Sequence, residues 1–243
     1  MAEEFEDKDL SGAVFWGVKL AGAQFRDTDF DGAHFFHTQW RNVSIDGEVH
    51  GLVVNGVDVT EFVNKNDRWY PLRYQLSPGD AVGLRSSWNE LTKEWSGLLS
   101  QVTKTNPSVA ETSVDNEWSL VDTLRHLVFA MDKWFTWPIL GGRSFYPLGL
   151  PNTGSQAREW PGLDMSASVD LPAVLRVRQE QHDRFTQFIE TLDVDALSGT
   201  VDVLENGAVP PLMCLHVVLE EEFEHLRYMI RDLERLGVRL FGH

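Results

Sequence analysis

The chain has 243 residues, enough for one large domain or two small ones. Its formal charge of −16, with Lys and Arg scattered among the acids, argues against a nucleic-acid surface, and its single cysteine, Cys214, excludes an internal disulfide framework and any paired-thiol motif. No stretch approaches the roughly 18 apolar residues of a membrane span, and the start MAEEFEDKDL is acidic where a signal peptide is basic, so the expectation is a cytoplasmic protein engaging neither nucleic acid nor membrane.

The first element is a repeat. Leu10, Phe15, Leu20, Phe25, Phe30, Phe35, Trp40 and Ile45 recur at an interval of five, and Ala13, Val18, Ala23, Thr28, Ala33, Thr38 and Val43 each lie two places before the next large residue. Neither a strand, with period 2, nor a helix, with period 3.6, produces this register. The pattern "AQFRD" and "GAHFF" resembles the pentapeptide-repeat family, which implies a right-handed β-helix with about four repeats per coil. Eight units over residues 8–47 then make about two coils, too little core to stand alone and too short for the DNA-mimicking rods of that family.

The register dissolves at "IDGEVHGLVVNGVDVTEFVN", a β-branched run with an Asn55-Gly56 turn that predicts a short hairpin serving as the end cap. The expected first domain is therefore residues 1–60. "KNDRWYPLRYQLSPGD", with Pro71 and Pro78, predicts a connector over 61–78.

From residue 79 onward the period is helical, and residues 79–243 are expected to form one mainly α domain. Ala81, Leu84, Trp88, Leu91, Trp95 and Leu98 make one stripe with steps of three and four. "SLVDTLRHLVFAMDKWFTW" begins at an N-cap Ser119 and stops before Pro138 and Gly141-Gly142. A third helix follows Asp170, and a fourth runs from Pro210-Pro211 to Gly237. Four such helices predict an up-down-type four-helix bundle. The long connection over residues 141–170, rich in aromatics and prolines, is placed to close over a pocket.

Among eight histidines, two stand in mixed surroundings. His126 shares a face of the second helix with Asp122, Phe129, Ala130 and Lys133. His225, on the last helix, follows Glu221 by four residues and Glu222 by three, so it and Glu221 project together and can meet at one ion. His34 and His37 take outward repeat positions, His50 belongs to the cap, His182 sits among polar residues, and His243 is terminal. His216 lies half a rotation from His225, and Cys214 is too far along the axis to join it, which suits a small buried hydrophobe.

"WSLVDTLRHLVFAMDKW" and "EEEFEHLRYMIRDLERL" resemble the DinB superfamily over about residues 79–237. The resemblance implies a divalent metal held in the bundle by one histidine of the second helix and an HxxxH pair of the fourth. Here Glu221 replaces the first of that pair, leaving His126, Glu221 and His225, a set suited to zinc and also to nickel or iron. Glu222 and Asp232 are candidates to orient an imidazole N–H. The activity implied is transfer or isomerisation with a low-molecular-weight thiol, of the mycothiol or bacillithiol type, attacking a small electrophile. A homodimer is implied by the same likeness. A metal hydrolase, and a non-enzymatic binding or scaffold module with a structural metal or none, are the competing expectations.

Overall fold

The computed structural model describes residues 4–6, 8–25, 28–152 and 158–239, and the chain divides into two compact units, Met1–Asp46 and Gly47–His243. In the first unit the repeat appears as regularly spaced corners. The amides of Ala13, Ala23 and Ala33 donate to the carbonyls of Leu10, Leu20 and Phe30 at 2.9, 3.0 and 2.9 Å. The third residue of each turn is Gly12, Gly22 or Gly32, with φ of 75°, 77° and 66°. A type II turn demands that left-handed backbone, which glycine adopts without a Cβ clash. The large side chains meet their neighbours five residues on, with Phe25–Phe30, Phe30–Phe35 and Phe35–Trp40 ring centroids 5.4, 6.1 and 5.1 Å apart. They remain about half exposed, from 46% at Leu10 to 66% at Ile45, as the small number of coils leads one to expect.

The second unit opens with the hairpin β1 (Val53–Val54) and β2 (Val57–Asp58), in which Asn55 (φ 51°) and Gly56 (φ 83°) make the two-residue turn that Asn-Gly predicts. Helix α1 (Thr60–Asn66) and a 3₁₀ turn at Leu72–Gln75 follow. The sequence predicts a first domain over 1–60 and a connector over 61–78. The division instead falls between Asp46 and Gly47, because this stretch is bonded into the unit that follows. The Tyr74 hydroxyl accepts from the Val49 amide at 2.8 Å and donates to Asn64 Oδ1 at 2.9 Å, Ser87 Oγ donates to the Gln75 carbonyl, and Trp69 packs edge-on to Phe223.

The bundle comprises α2 (Ala81–Thr105), α3 (Leu120–Met131), α4 (Leu171–Glu190) and α5 (Pro211–Arg235), with the small hairpin β3 (Val201–Asp202) and β4 (Ala208–Val209) between the last two. Side-chain caps close three of the helix starts, with Ser119 and Asp170 where the sequence puts them. Asp80 accepts from Gly83 N, Ser119 from Asp122 N and Asp170 from Ala173 N, and Gly237 (φ 81°) ends α5. The main helix contacts, α3 with α4 and α5, and α2 with α4 and α5, order the four long helices α2, α4, α3, α5 around the core. The α2 stripe Leu84, Trp88, Leu91, Trp95 and Leu98 is buried there. Beyond Met131, α3 widens into one π turn over Asp132–Thr136.

One ion pair is sealed inside this core. Arg178 of α4 makes bonds of 2.6 and 2.7 Å to the two carboxylate oxygens of Glu222 on α5, and the residues are 4% and 2% exposed. Burial pushes the Glu222 carboxyl up, but the Arg178 charge and the bonds from His182 and Arg178 outweigh it and hold it at about 2. Removing one partner of such a pair leaves a bare buried charge. Glu222→Gln should therefore lower the unfolding free energy by about 3 to 5 kcal/mol in urea titration, while Arg178→Met/Glu222→Leu should regain most of that loss.

Candidate metal centre

His126 enters the site because α3 runs beside α5. Its ring is 5% exposed, and Nδ1 lies 3.0 Å from the carbonyl oxygen of Leu150. A carbonyl only accepts, so Nδ1 carries the proton and Nε2 of the neutral ring carries a lone pair. That lone pair faces Glu221 Oε2 at 3.3 Å. On α5, His225 repeats the device within one helical turn: its Nδ1 donates to the Glu221 carbonyl at 2.9 Å and lies 3.4 Å from Glu221 Oε2, and the two imidazole centroids are 4.7 Å apart. One ligand atom from each of His126, Glu221 and His225 lies within 4.8 Å of the other two, the group of that kind found among the described residues.

The electrostatics prepare these groups as ligands. Burial, and then the charge that a protonated His126 would carry, hold the His225 imidazole below its ordinary range. Burial raises the Glu221 carboxyl, but the hydrogen bond and charge that a protonated His126 would supply, and the charge of a protonated His225, bring it below the usual carboxylate range. A neutral imidazole and an ionised carboxylate both present lone pairs, and two lone pairs at 3.3 Å repel unless a proton or a cation lies between them. Ligands bonded to zinc at about 2.0 to 2.1 Å with tetrahedral angles stand about 3.3 to 3.4 Å apart, so the spacing fits a metal.

The long connection lies over this site. Arg125 Nε donates to the Leu148 carbonyl and the Leu150 amide to the Arg125 carbonyl, both at 3.0 Å, which brings the Leu150 carbonyl to His126. Buried Asp132, at the start of the π turn, accepts from the Tyr146 amide at 2.7 Å and from Gln181 Nε2 at 3.0 Å. Phe145 and Trp160 pack on Phe129 of α3 with centroids 5.2 and 4.9 Å away. The expectation of a segment closing over the bundle falls partly on residues 153–157, which lie outside the described residues.

Glu222 and Asp232 take other work than the sequence proposes. Glu222 is committed to Arg178, and Asp232 accepts from Arg231 at 2.7 Å. The imidazoles are oriented instead by the backbone carbonyls of Leu150 and Glu221, groups that no residue pattern advertises. His182, which the sequence places on a polar face, packs 4.7 Å from the Trp88 ring and 3.5 Å from Glu222. His216 Nε2 meets the Pro78 carbonyl at 2.9 Å, and His243 lies outside the described residues. Sequence reasoning missed Trp118, whose indole lies 4.8 Å from the His126 ring; the signal was an aromatic residue directly before the Ser119 N-cap.

The family model of the DinB superfamily matches residues 84–229, and that of pentapeptide repeats (8 copies) matches residues 9–39. The chain belongs to the DinB superfamily, with a pentapeptide-repeat segment before the bundle. No curated protein and no solved structure matches it. Among the described residues no helix is long and apolar enough to cross a membrane.

Cys214 is fully buried in the core, and burial pushes its thiol up to about 11. The thiolate is the reactive form, so at pH 8 only about one thiol in a thousand is ionised. Native protein treated with iodoacetamide at pH 8 should remain unmodified by intact mass over a time in which urea-unfolded protein is fully labelled.

Proposed function

We propose that this protein is a metal-dependent transferase or isomerase that uses a low-molecular-weight thiol, with His126, Glu221 and His225 as the metal ligands. The observation that carries the reading is the convergence of one ligand atom each from His126, Glu221 and His225 within 4.8 Å of one another. Metal binding is general among DinB-like proteins, in keeping with this donor set. Three protein ligands leave a coordination position for a cosubstrate, the arrangement of catalytic rather than structural sites. The donors suit zinc first, and nickel or iron as well.

His126, Glu221 and His225 would hold a divalent ion, which would supply the acidity that ionises a thiol at neutral pH. The chain's own residues do the rest. The Leu150 and Glu221 carbonyls keep the Nδ1 protons in place and turn both Nε2 lone pairs free. Glu221 contributes one negative charge to the donor set, which two neutral imidazoles do not. Glu222, held ionised by Arg178, leaves Glu221 as the α5 carboxylate at the donor cluster. A bound water acidified in the same place would make the protein a hydrolase, so the choice rests on the response to thiols.

Elemental analysis of protein as purified should find about one equivalent of a divalent metal, lost in His126→Ala and His225→Ala, whose far-ultraviolet spectra stay native. Adding a low-molecular-weight thiol to the Co²⁺-loaded protein should produce a sulfur-to-metal charge-transfer band. Metal-free folded protein with undiminished thiol conjugation would refute the reading. A metal that stabilises the fold, with no thiol response, would favour the binding module.

A further inference from the structure

Trp118 is the residue of the site that neither the ligand set nor the proposed reaction uses. Its ring centroid stands 4.8 Å from that of His126 and 6.3 Å from that of His225, with the second pair of planes only 20° apart. Together with the 4.7 Å between the imidazoles, these distances make a triangle of three rings in contact. One face of the imidazole pair is thus covered by an indole.

The segment before Trp118 is built to hold it there. Val114–Glu117 closes a turn in which the Glu117 amide donates to the Val114 carbonyl at 2.8 Å. Its middle residues, Asp115 (φ 52°) and Asn116 (φ 61°), both take the left-handed backbone, which Asp and Asn tolerate better than other residues with a Cβ. The two acids of this turn reach α5: Asp115 accepts from Arg235 Nη1 at 2.5 Å and Glu117 from Arg231 Nη2. The Ser113 hydroxyl bonds the Glu117 carbonyl. Immediately after the indole, Ser119 caps α3. Trp118 is fixed from both sides, to the helix that carries His126 and to the helix that carries Glu221 and His225.

We propose that Trp118 is a positioning residue, whose indole sets the planes of the His126 and His225 imidazoles and closes one side of the donor cluster to water. The proposal rests on the metal reading above. The Nδ1 hydrogen bonds fix which nitrogen is free, yet one bond of about 3 Å tolerates some rotation of each ring about its Cβ–Cγ bond. An indole against the ring faces opposes the swing. Excluding water from that side also strengthens the interaction of the carboxylate with a cation. A hydrophobic contact made only to seat the N-terminus of α3 would stabilise the fold and leave the ligand geometry untouched.

The test uses full-length protein loaded with Co²⁺, comparing wild type, Trp118→Phe, Trp118→Ala and Asp115→Asn/Glu117→Gln. The last keeps the indole and removes the carboxylate grip. The readouts are the d–d absorption bands and the rate of Co²⁺ release to excess chelator, with melting temperature as the control for folding. Loss of an orienting partner typically costs about 10- to 100-fold in metal affinity. Trp118→Ala should release Co²⁺ at least about tenfold faster with weaker, shifted bands, Trp118→Phe should stay near wild type, and the double variant should fall between. Trp118→Ala with wild-type bands and release overturns the proposal and leaves the metal reading intact. Should that variant not fold, unchanged bands and release in Asp115→Asn/Glu117→Gln overturn it equally. Wild-type protein that binds no Co²⁺ ends the metal reading and this inference together.

Discussion

Two acceptors held face to face inside a protein are a constraint that must be resolved by something positive. Here His126 Nδ1 donates to the Leu150 carbonyl and Nε2 faces Glu221 Oε2 at 3.3 Å, so a proton on Nε2 or a cation between the two atoms must hold them together. Much of the surrounding structure serves to keep this contact in place. The Arg125 bonds hold the Leu148–Leu150 backbone on α3, and the Asp132 bonds hold Tyr146 at the next step of the same connection. The long connection is therefore part of the site, because its backbone decides which imidazole nitrogen is free.

The neighbouring residue on α5 shows the opposite solution to the same physics. Glu222 is also a buried carboxylate, but it is met by a guanidinium in a two-pronged bond and is satisfied within the protein. Adjacent positions on one helix project about 100° apart, so Glu222 turns into the core towards α4 while Glu221 turns towards α3. One acid closes the bundle, and the other faces the two imidazoles. Their neighbourhood in sequence conceals this division of work.

The carboxylate in place of a third imidazole has a chemical meaning too. Glu221 gives the donor set one negative charge, which two neutral imidazoles would not, and a divalent cation held there would be partly neutralised inside a mostly apolar bundle. Charge is costly to bury unless it is paired. Trp118, Phe129 and Tyr228 stand around the site, each with its centroid within 6.3 Å of an imidazole.

The local patterns in the sequence were enough for everything that depends on near neighbours. The period of five, the Asn55-Gly56 turn, the Ser119 cap and the helix start after Asp170, the apolar stripe of α2 and the Glu221/His225 pair all express spacings of a few residues, and each is found in the structure. His126 was legible only through family resemblance, because 95 residues separate it from Glu221 and spacing carries no signal over that length. The tertiary structure alone decided the helix order α2, α4, α3, α5, the commitment of Glu222 and Asp232 to arginines, the packing of His182 on Trp88, and the seating of Trp118 and the Leu150 carbonyl against His126. Such choices follow from which faces meet in three dimensions, and a backbone carbonyl, being common to every residue, leaves no mark in a sequence.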